Sequence, residues 1–377
     1  MTDLVTPDLA SPVDVVPPAP AGPPPPEASG AGWKPWFRAI GTGAYLGVLG
    51  VYIAQWGLPL DREQVILWVM AGLLVSTFGR AKSWQVVTDW LPFAVLMVAY
   101  DYSRGFARTI NLPIHYTPQI DVDRFLFFGH VPTVWLQNRL AQPNPHWWQV
   151  FVTLAYLSHF ILPFAVAGVL WFRNRRTFLA FAGRFLTLAY LGLVTYVLFP
   201  AAPPWIAASN GPSELRHGHA PYIGTVHRVV NQGWDLLGLH RASDVIEKGQ
   251  ATVNLYAAVP SLHAAFAALV SAFLWKRAKP WVRPVLAIYP VLMGFSLVFG
   301  GEHYVSDILL GWLYVAAVMF GWSRWERRFD GNRPRRLLLA RRWRFPHQRA
   351  EGRVGGASPS ANRPQRWRLA RRPAGGE

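Results

Sequence analysis

The sequence contains no cysteine, and charged residues make up only 15% of its 377 positions. The absence of thiols excludes disulfide frameworks, cysteine nucleophiles and the zinc or iron–sulfur sites that depend on cysteine ligands. The low charge, a hydrophobic content of 52% and 19 tryptophans are untypical of a soluble domain of this length. We therefore expect an integral membrane protein, in which catalysis would rely on His, Asp, Glu, Ser, Lys or Arg.

Acidic residues are also scarce, because 20 Asp and Glu stand against 37 Lys and Arg, for a formal net charge of +17. Sixteen of the basic residues follow position 323, so the excess belongs to a C-terminal segment and not to the apolar core. Such a cluster beside a membrane helix predicts contact with anionic lipids. Nucleic-acid binding is disfavoured, because no folded nucleic-acid-binding module accompanies the cluster.

The two ends of the chain lack the patterns of folded domains. Residues 1–33 contain no Lys or Arg and lack the apolar stretch of a signal peptide, but include the run PPAPAGPPPPE. They predict a disordered, Pro-rich cytoplasmic leader. Residues 324–377 predict a disordered, Arg-rich cytoplasmic tail.

Between these ends, most apolar segments approach the roughly 20 residues that a helix needs to cross a bilayer. They predict an all-α fold, a polytopic membrane helix bundle of about eight transmembrane helices. The first two helices, within 34–85, are accessory, and the other six form a core over 86–323 with external loops at 107–146 and 200–259. The segments lie at 36–57, 64–79, 86–106, 147–172, 178–199, 260–275, 281–300 and 303–322.

Basic residues between these segments concentrate on every second side of the predicted bundle, as short cytoplasmic loops do. This alternation predicts a multi-pass protein of the cell membrane with both termini in the cytoplasm. Both long loops then lie outside, over the outer ends of the helices. The basic residues on the predicted cytoplasmic side are Lys34, Arg38, Arg80, Lys82, Arg173, Arg175, Arg176, Lys276, Arg277, Lys279 and Arg283.

The predicted topology places three groups of potentially catalytic or ligand-binding residues at helix ends, and two of them contain histidine. Pro260 and Ser261 open the sixth apolar segment, where serine suits a helix cap and free N–H groups attract anions, and His263 lies in the first turn. His303 and Asp307 are four residues apart on one face of the last helix. The carboxylate can therefore fix the imidazole tautomer and leave the other ring nitrogen as a base or nucleophile.

A third group, Arg104 and Arg108, lies one turn apart near the outer end of the third segment, where guanidinium groups could grip a phosphate. All three groups are predicted at the outer ends of helices and can converge on one site. Two imidazoles, one orienting carboxylate and arginines suit phosphoryl transfer through a covalent phosphohistidine. A metal site built from two histidines and one carboxylate is the enzymatic alternative for the same residues.

The spacing of these residues resembles that of the type 2 phosphatidic-acid phosphatase superfamily. The superfamily motif Pro-Ser-Gly-His matches Pro260-Ser261-Leu262-His263. A second superfamily motif consists of Ser-Arg, five residues, His, three residues and Asp. Its counterparts here are Ser296-Leu297, His303 and Asp307. The resemblance implies that His303 is the nucleophile, Asp307 its orienting partner and His263 the general acid, with phosphate near Ser261. It implies no cofactor and no metal.

Two departures concern the phosphate-binding positions. Leu297 replaces the motif arginine, and the superfamily's Lys, six residues, Arg-Pro motif has no counterpart. Position in the predicted topology assigns the phosphate-binding role to Arg104, with Arg108 and Arg124 in reserve. His159 is left outside the site, as a helix-packing residue.

Segments such as YDYSRG and YLSHF resemble the inositol phosphorylceramide synthase-like branch of the superfamily. This resemblance implies a lipid phosphatase or head-group phosphotransferase that acts on a lipid phosphate or phospholipid at the outer membrane face. The acceptor would be water or a lipid or polyol hydroxyl. Asp101, Asp121 and Asp123 are candidates to meet the acceptor's hydroxyls, and the alternative for them is a solvated or salt-bridged acid. The functional alternative is a lipid-binding or transport protein without phosphoryl chemistry, although paired repeats and broken helices are not evident.

Overall fold

The computed structural model describes residues 35–79, 82–107, 110, 112–141, 144, 146–211, 223–236 and 255–329. The predicted leader, most of the predicted tail and parts of both predicted external loops lie outside these residues. Arg108 also lies outside them.

The prediction of an all-α fold is confirmed. Within the described ranges, strand-like pairing is limited to two isolated bridges, which join Ala201 to His115 and to Ala257. The helices are α1 Pro35–Trp56, α2 Arg62–Thr77, α3 Lys82–Ala107, α4 Pro118–Leu126, α5 Pro132–Leu140, α6 Gln149–Arg173, α7 Arg175–Leu198, α8 Pro204–Asn210, α9 Gln232–Leu236, α10 Leu262–Trp275, α11 Arg283–Phe299 and α12 Val305–Phe329.

Five of the described helices are long and apolar enough to cross a membrane, namely α1, α6, α7, α11 with its preceding turn, and α12. Helix α3 has 26 residues but carries charged side chains, whereas α2 has only 16 residues. Helix α10 has 14 residues, which extend about 21 Å, less than the ~30 Å of a hydrocarbon core. The predicted count of eight transmembrane helices therefore stays a prediction.

The main apolar core lies between α2, α3, α6, α7, α10 and α12. Its centre is a group of phenylalanines, in which Phe185 of α7 stacks on Phe266 of α10 with ring centroids 4.1 Å apart. Phe93 of α3 packs against the same Phe185 ring at 6.0 Å. Large aromatic side chains contribute much of the burial energy of such a core. This packing fixes α10 against α7 and therefore fixes the position of its N-terminus.

Helix α12 continues to Phe329, six residues into the segment that the sequence predicts as the tail. Its last turns are held to the bundle, because Arg184 of α7 donates two hydrogen bonds to the carboxylate of Glu326, at 2.8 and 2.7 Å. Trp322 and Trp325 also stack, with their ring centroids 5.6 Å apart. These contacts extend the helix into a segment whose many arginines suggest a disordered tail.

The predicted external loops contain four short helices, α4, α5, α8 and α9, which pack over one end of the bundle. Gln137 of α5 donates hydrogen bonds to the carbonyls of His227 and Phe299, and Thr153 of α6 donates one to Val230. Helix α4 contacts the start of α12. The described parts of both long loops therefore cover the ends of α6, α11 and α12.

Candidate active site

The N-terminus of α10 meets the N-terminus of α12. Ser261 caps α10, because its Oγ accepts a hydrogen bond from the Ala264 amide at 3.4 Å, and its own amide donates to the carbonyl of Asp307 at 3.0 Å. A Cβ atom on Gly311 would lie 2.6 Å from the Ser261 carbonyl oxygen, so this close approach requires glycine. The N-termini of these two helices therefore meet at the candidate site, where the amides of Val305 and Ser306 are bonded to Asp123.

The loop between α11 and α12 positions His303. Gly301 adopts a φ of +79°, which favours glycine, and the amides of Glu302 and His303 donate to the Leu297 carbonyl. His303 Nδ1 then lies 3.4 Å from Asp307 Oδ2. The same Oδ2 accepts the Tyr304 amide at 2.9 Å, which holds the carboxylate in place. Both His303 and Asp307 are buried.

His263 lies beside this pair. Its ring centroid is 5.7 Å from that of His303, so one phosphorus atom between them could contact both imidazoles. The structure thus brings together His263, His303, Asp307 and Ser261.

Two aromatic rings of α6 pack against His263. Tyr156 stacks on it with a centroid separation of 5.3 Å, and the His159 ring lies 4.0 Å away. His159 therefore borders the candidate site and also packs between helices. The sequence could not indicate that His159 borders the site, because it does not show which face of α6 meets α10.

The structure describes the three predicted phosphate-binding arginines only in part. Arg104 lies in the last turn of α3, but its side chain is outside the described part of the chain, as is the whole of Arg108. Arg124 of α4 lines a pocket together with His130, Trp135 and Asn138. The assignment of phosphate binding to these three arginines stays a prediction.

Arg228, which sequence reasoning missed, lies between α8 and α9 and directs its guanidinium toward the loop that carries His303. Its Nε donates to Glu302 Oε1 at 2.5 Å, and Tyr156 lies close enough to the guanidinium to help raise its pKa. Burial acts to lower the pKa of Arg228, but the negative charge of Glu302 and the contribution of Tyr156 outweigh it and raise that pKa above its ordinary value. Arg228 is therefore a permanent cation.

Acidic residues near the site have structural partners. The Asp123 carboxylate accepts the amides of Val305 and Ser306 at 3.0 and 2.8 Å, so it caps α12 from α4. Burial raises the pKa of Asp123 although these two hydrogen bonds oppose the rise. Asp101 forms an ion pair with Arg62. Capping and ion pairing thus explain both acids without an acceptor hydroxyl.

The two leucines that depart from the superfamily motifs are buried in apolar surroundings. Leu262 fills space opposite Gly192 of α7, where a Cβ would lie 2.8 Å from the leucine side chain. Leu297 lies in an apolar cluster with Val230 and Ile308, so it offers nothing to a phosphate.

No group of three or more His, Asp or Glu residues in the described ranges has a geometry that could hold a metal ion. His227, in the second long loop, is exposed. The site can instead supply a nucleophile, a proton donor and an anion-binding surface.

Comparison with protein families gives a match to the PAP2 superfamily over residues 119–321, which is more than half of the chain. This range includes the two motif histidines and Arg228. No solved structure matches significantly.

Three relatives are synthases of inositol-containing sphingolipids. The phosphoinositol dihydroceramide synthase of Bacteroides thetaiotaomicron is 29% identical over 68% of this chain and 83% of its own length. The inositol phosphorylceramide synthase of Candida albicans is 25% identical over 51% of this chain and 39% of its own. The inositol phosphorylceramide synthase catalytic subunit of Saccharomyces cerevisiae is 26% identical over 60% of this chain and 54% of its own length. The chain thus spans about half or less of the two fungal proteins.

Proposed function

Because the chain belongs to the PAP2 superfamily, we propose that it transfers a phosphoinositol-type head group between lipids through a phosphohistidine on His303. It is a membrane enzyme of the lipid phosphatase and phosphotransferase class. The observation that supports the proposal is the convergence of two imidazoles, 5.7 Å apart, with a carboxylate beside one of them.

In the first step, His303 Nε2 attacks the phosphorus of a phospholipid. The bond between phosphorus and the oxygen of the lipid alcohol breaks, and protonated His263 gives its proton to that leaving oxygen. Asp307 orients Nδ1 of His303 and stabilises the positive charge that develops on the ring. The head group is then bonded to His303 through its phosphorus.

In the second step, the acceptor hydroxyl attacks the same phosphorus and gives its proton to His263. The bond between phosphorus and Nε2 breaks, its electron pair returns to the imidazole, and both histidines recover their initial protonation states. Water as acceptor gives hydrolysis, whereas a lipid hydroxyl gives a new phospholipid. The names of the relatives favour a ceramide-type acceptor. The distribution of basic loop residues favours an active site at the outer face.

The proposal is tested with the purified full-length chain in vesicles that contain phosphatidylinositol labelled in its head group, together with dihydroceramide. We expect a labelled sphingolipid product and, after rapid denaturation, label on the protein that is acid-labile and base-stable. His303→Asn should abolish both signals, with a loss of turnover of at least about 10³-fold.

Two controls separate the proposal from its alternatives. Activity that survives a chelator argues against a metal-dependent mechanism with the same residues. Full turnover by His303→Asn would overturn the phosphohistidine mechanism, and release of free inositol phosphate in place of a lipid product would show a hydrolase.

A further inference from the structure

The candidate site lacks the motif arginine of its superfamily, yet its substrate carries a phosphate that must be neutralised. Leu297, at the motif position, is completely buried among apolar side chains. A cation must therefore reach the phosphate from a different element. Arg228 reaches the site from the segment between α8 and α9, which the motif does not include.

Each neighbour of Arg228 connects it to one of the two imidazoles. Glu302, which pairs with its Nε at 2.5 Å, directly precedes His303 in the chain. Tyr156, which lies near the guanidinium and helps to raise its pKa, stacks on His263 at 5.3 Å. The guanidinium is therefore one residue away from each candidate catalytic histidine.

The backbone that carries Arg228 is firmly attached to the same loop. The Val229 amide donates to the Gly300 carbonyl at 3.2 Å, and the Gln137 side chain bonds both the amide and the carbonyl of His227. Trp205 lies under the guanidinium, 5.5 Å from its carbon to the ring centroid. Arg228 is thus preorganised and needs little further ordering to bind a ligand.

The guanidinium retains an unused donor. Within the part of the chain that the structure describes, Arg228 Nη2 is buried and has no hydrogen-bond acceptor. A buried donor of this kind costs free energy until an acceptor arrives, and a phosphate oxygen is a strong acceptor for it. Glu302 compensates the charge of the guanidinium before substrate binds, because an unpaired buried cation would be strongly destabilising.

We propose that Arg228 binds the phosphate of the substrate through Nη2, in the role that the motif assigns to the residue at Leu297, while Glu302 and Tyr156 hold the guanidinium in position. The inference rests on the proposed function and names the residue that recognises the anionic phosphodiester or phosphate group. Recognition by a charged donor in a water-poor site favours both binding and the charge that builds on phosphorus.

The test measures binding and turnover separately. The probe is inorganic phosphate, titrated against the detergent-solubilised full-length chain while the thermal unfolding midpoint is recorded. We expect phosphate to stabilise the parent, and Arg228→Gln to weaken phosphate binding by about 10- to 100-fold. Arg228→Lys should keep part of the affinity, because lysine keeps the charge but not the planar geometry. Arg139→Gln, at an exposed arginine of α5, is the matched control and should bind phosphate as the parent does.

A second variant separates ligand binding from structural support. Arg228→Gln leaves Glu302 without its partner and can destabilise the fold, so the double variant Arg228→Gln/Glu302→Gln removes both charges together. If Arg228 binds phosphate, the double variant regains thermal stability but still binds phosphate weakly and turns over slowly. Recovery of parental phosphate affinity and turnover in the double variant would show a purely structural ion pair and overturn the inference.

The failure of this inference differs from the failure of the proposed function. If Arg228→Gln binds phosphate and turns over like the parent while His303→Asn is inactive, the phosphohistidine mechanism stands and the assignment of Arg228 is wrong. If His303→Asn is fully active, the mechanism itself is wrong.

Discussion

His263 and His303 carry the same side chain in different surroundings, and this difference divides their proposed roles. His303 has a carboxylate 3.4 Å from its Nδ1, which suits a nucleophile whose tautomer must be fixed. His263 instead packs against the rings of Tyr156 and His159. It is also less deeply buried than His303, as a group that exchanges protons with two different alcohols requires.

If His263 protonates the leaving oxygen, the effect of replacing it must depend on the leaving group. We expect His263→Gln to slow turnover of a lipid substrate by about 10²- to 10⁴-fold. A phosphodiester probe with a nitrophenol leaving group needs no proton, so formation of the phosphoenzyme from it should slow by less than about tenfold. The measurement is the burst of nitrophenol release in a rapid-mixing experiment.

His303→Gln provides the matched control, because a nucleophile is needed for both substrates. It should abolish the burst from the nitrophenol probe as completely as it abolishes lipid turnover. An equal loss in His263→Gln with both substrates would contradict its role as general acid.

Residue types and spacing sufficed to select Ser261, His263, His303 and Asp307, which the structure brings together. They do not indicate Arg228, for which we propose a phosphate-binding role. Arg228 lies in a loop without helical periodicity, and its relation to His303 depends on hydrogen bonds between segments about seventy residues apart, such as that of Arg228 with Glu302. The prediction for Arg104 rests on its position near a helix end, and position in a topology does not identify side-chain contacts.

At the scale of elements, the site depends on how closely α10 and α12 approach. Helix α10 has only 14 residues, and its capping residue Ser261 is completely buried. Gly311 allows the Ser261 carbonyl to lie against α12, while the Ser261 amide is bonded to the Asp307 carbonyl. The separation of the two helices therefore controls the separation of His263 and His303.

A methyl group at position 311 should disturb this contact. In Gly311→Ala the new Cβ would lie 2.6 Å from the Ser261 carbonyl oxygen, which is backbone and cannot rotate away. We expect a loss of about 1–3 kcal/mol in the free energy of unfolding. Turnover should fall too, because α12 carries Asp307. Thermal unfolding in detergent and the lipid transfer assay measure the two effects.

Gly321→Ala on the same helix is the matched control. Nothing lies within 4 Å of a Cβ at position 321, so alanine should leave activity unchanged and stabilise the helix by up to about 1 kcal/mol. A similar response of the two variants would mean that the close contact between α10 and α12 is not important for the site.

The elements themselves were predictable to different degrees. Each apolar segment corresponds to a helix, because long apolar periodic runs are the strongest signal in a membrane protein. The helices α4, α5, α8 and α9 within the long loops were missed, since they have at most nine residues each and are stabilised by contacts with the bundle. The capping of α12 by Asp123 is a long-range contact of the same kind.

At the scale of the whole molecule, the described chain has two chemically different ends. One end holds the candidate site with the loop helices above it. The other end holds ion pairs such as Arg175 with Asp89 and Arg184 with Glu326, close to the basic connecting segments. The distribution of Lys and Arg predicts that this second end faces the cytoplasm. The predicted contact of the tail with anionic lipids concerns residues mostly beyond Phe329, outside the described part of the chain.

The absence of native cysteine allows a direct test of this orientation, because a single introduced thiol is the only site for a maleimide. Asp121 is exposed on α4 at the end that holds the candidate site, and Lys276 is exposed just after α10 at the opposite end. In intact cells, we expect a membrane-impermeant maleimide to label Asp121→Cys. Lys276→Cys should react only after the membrane is permeabilised.

The orientation decides which pool of lipids can serve as substrate, so the labelling result constrains the proposed reaction as well as the topology. A site that opens outward can take its donor and acceptor only from the outer leaflet. The lipid alcohol that the donor releases is then also formed in that leaflet. Labelling of Lys276→Cys in intact cells, with Asp121→Cys protected, would place His303 and His263 toward the cytoplasm. The chemistry at phosphorus would be unchanged, but the basic connecting segments would then lie outside, against the rule from which the orientation was predicted.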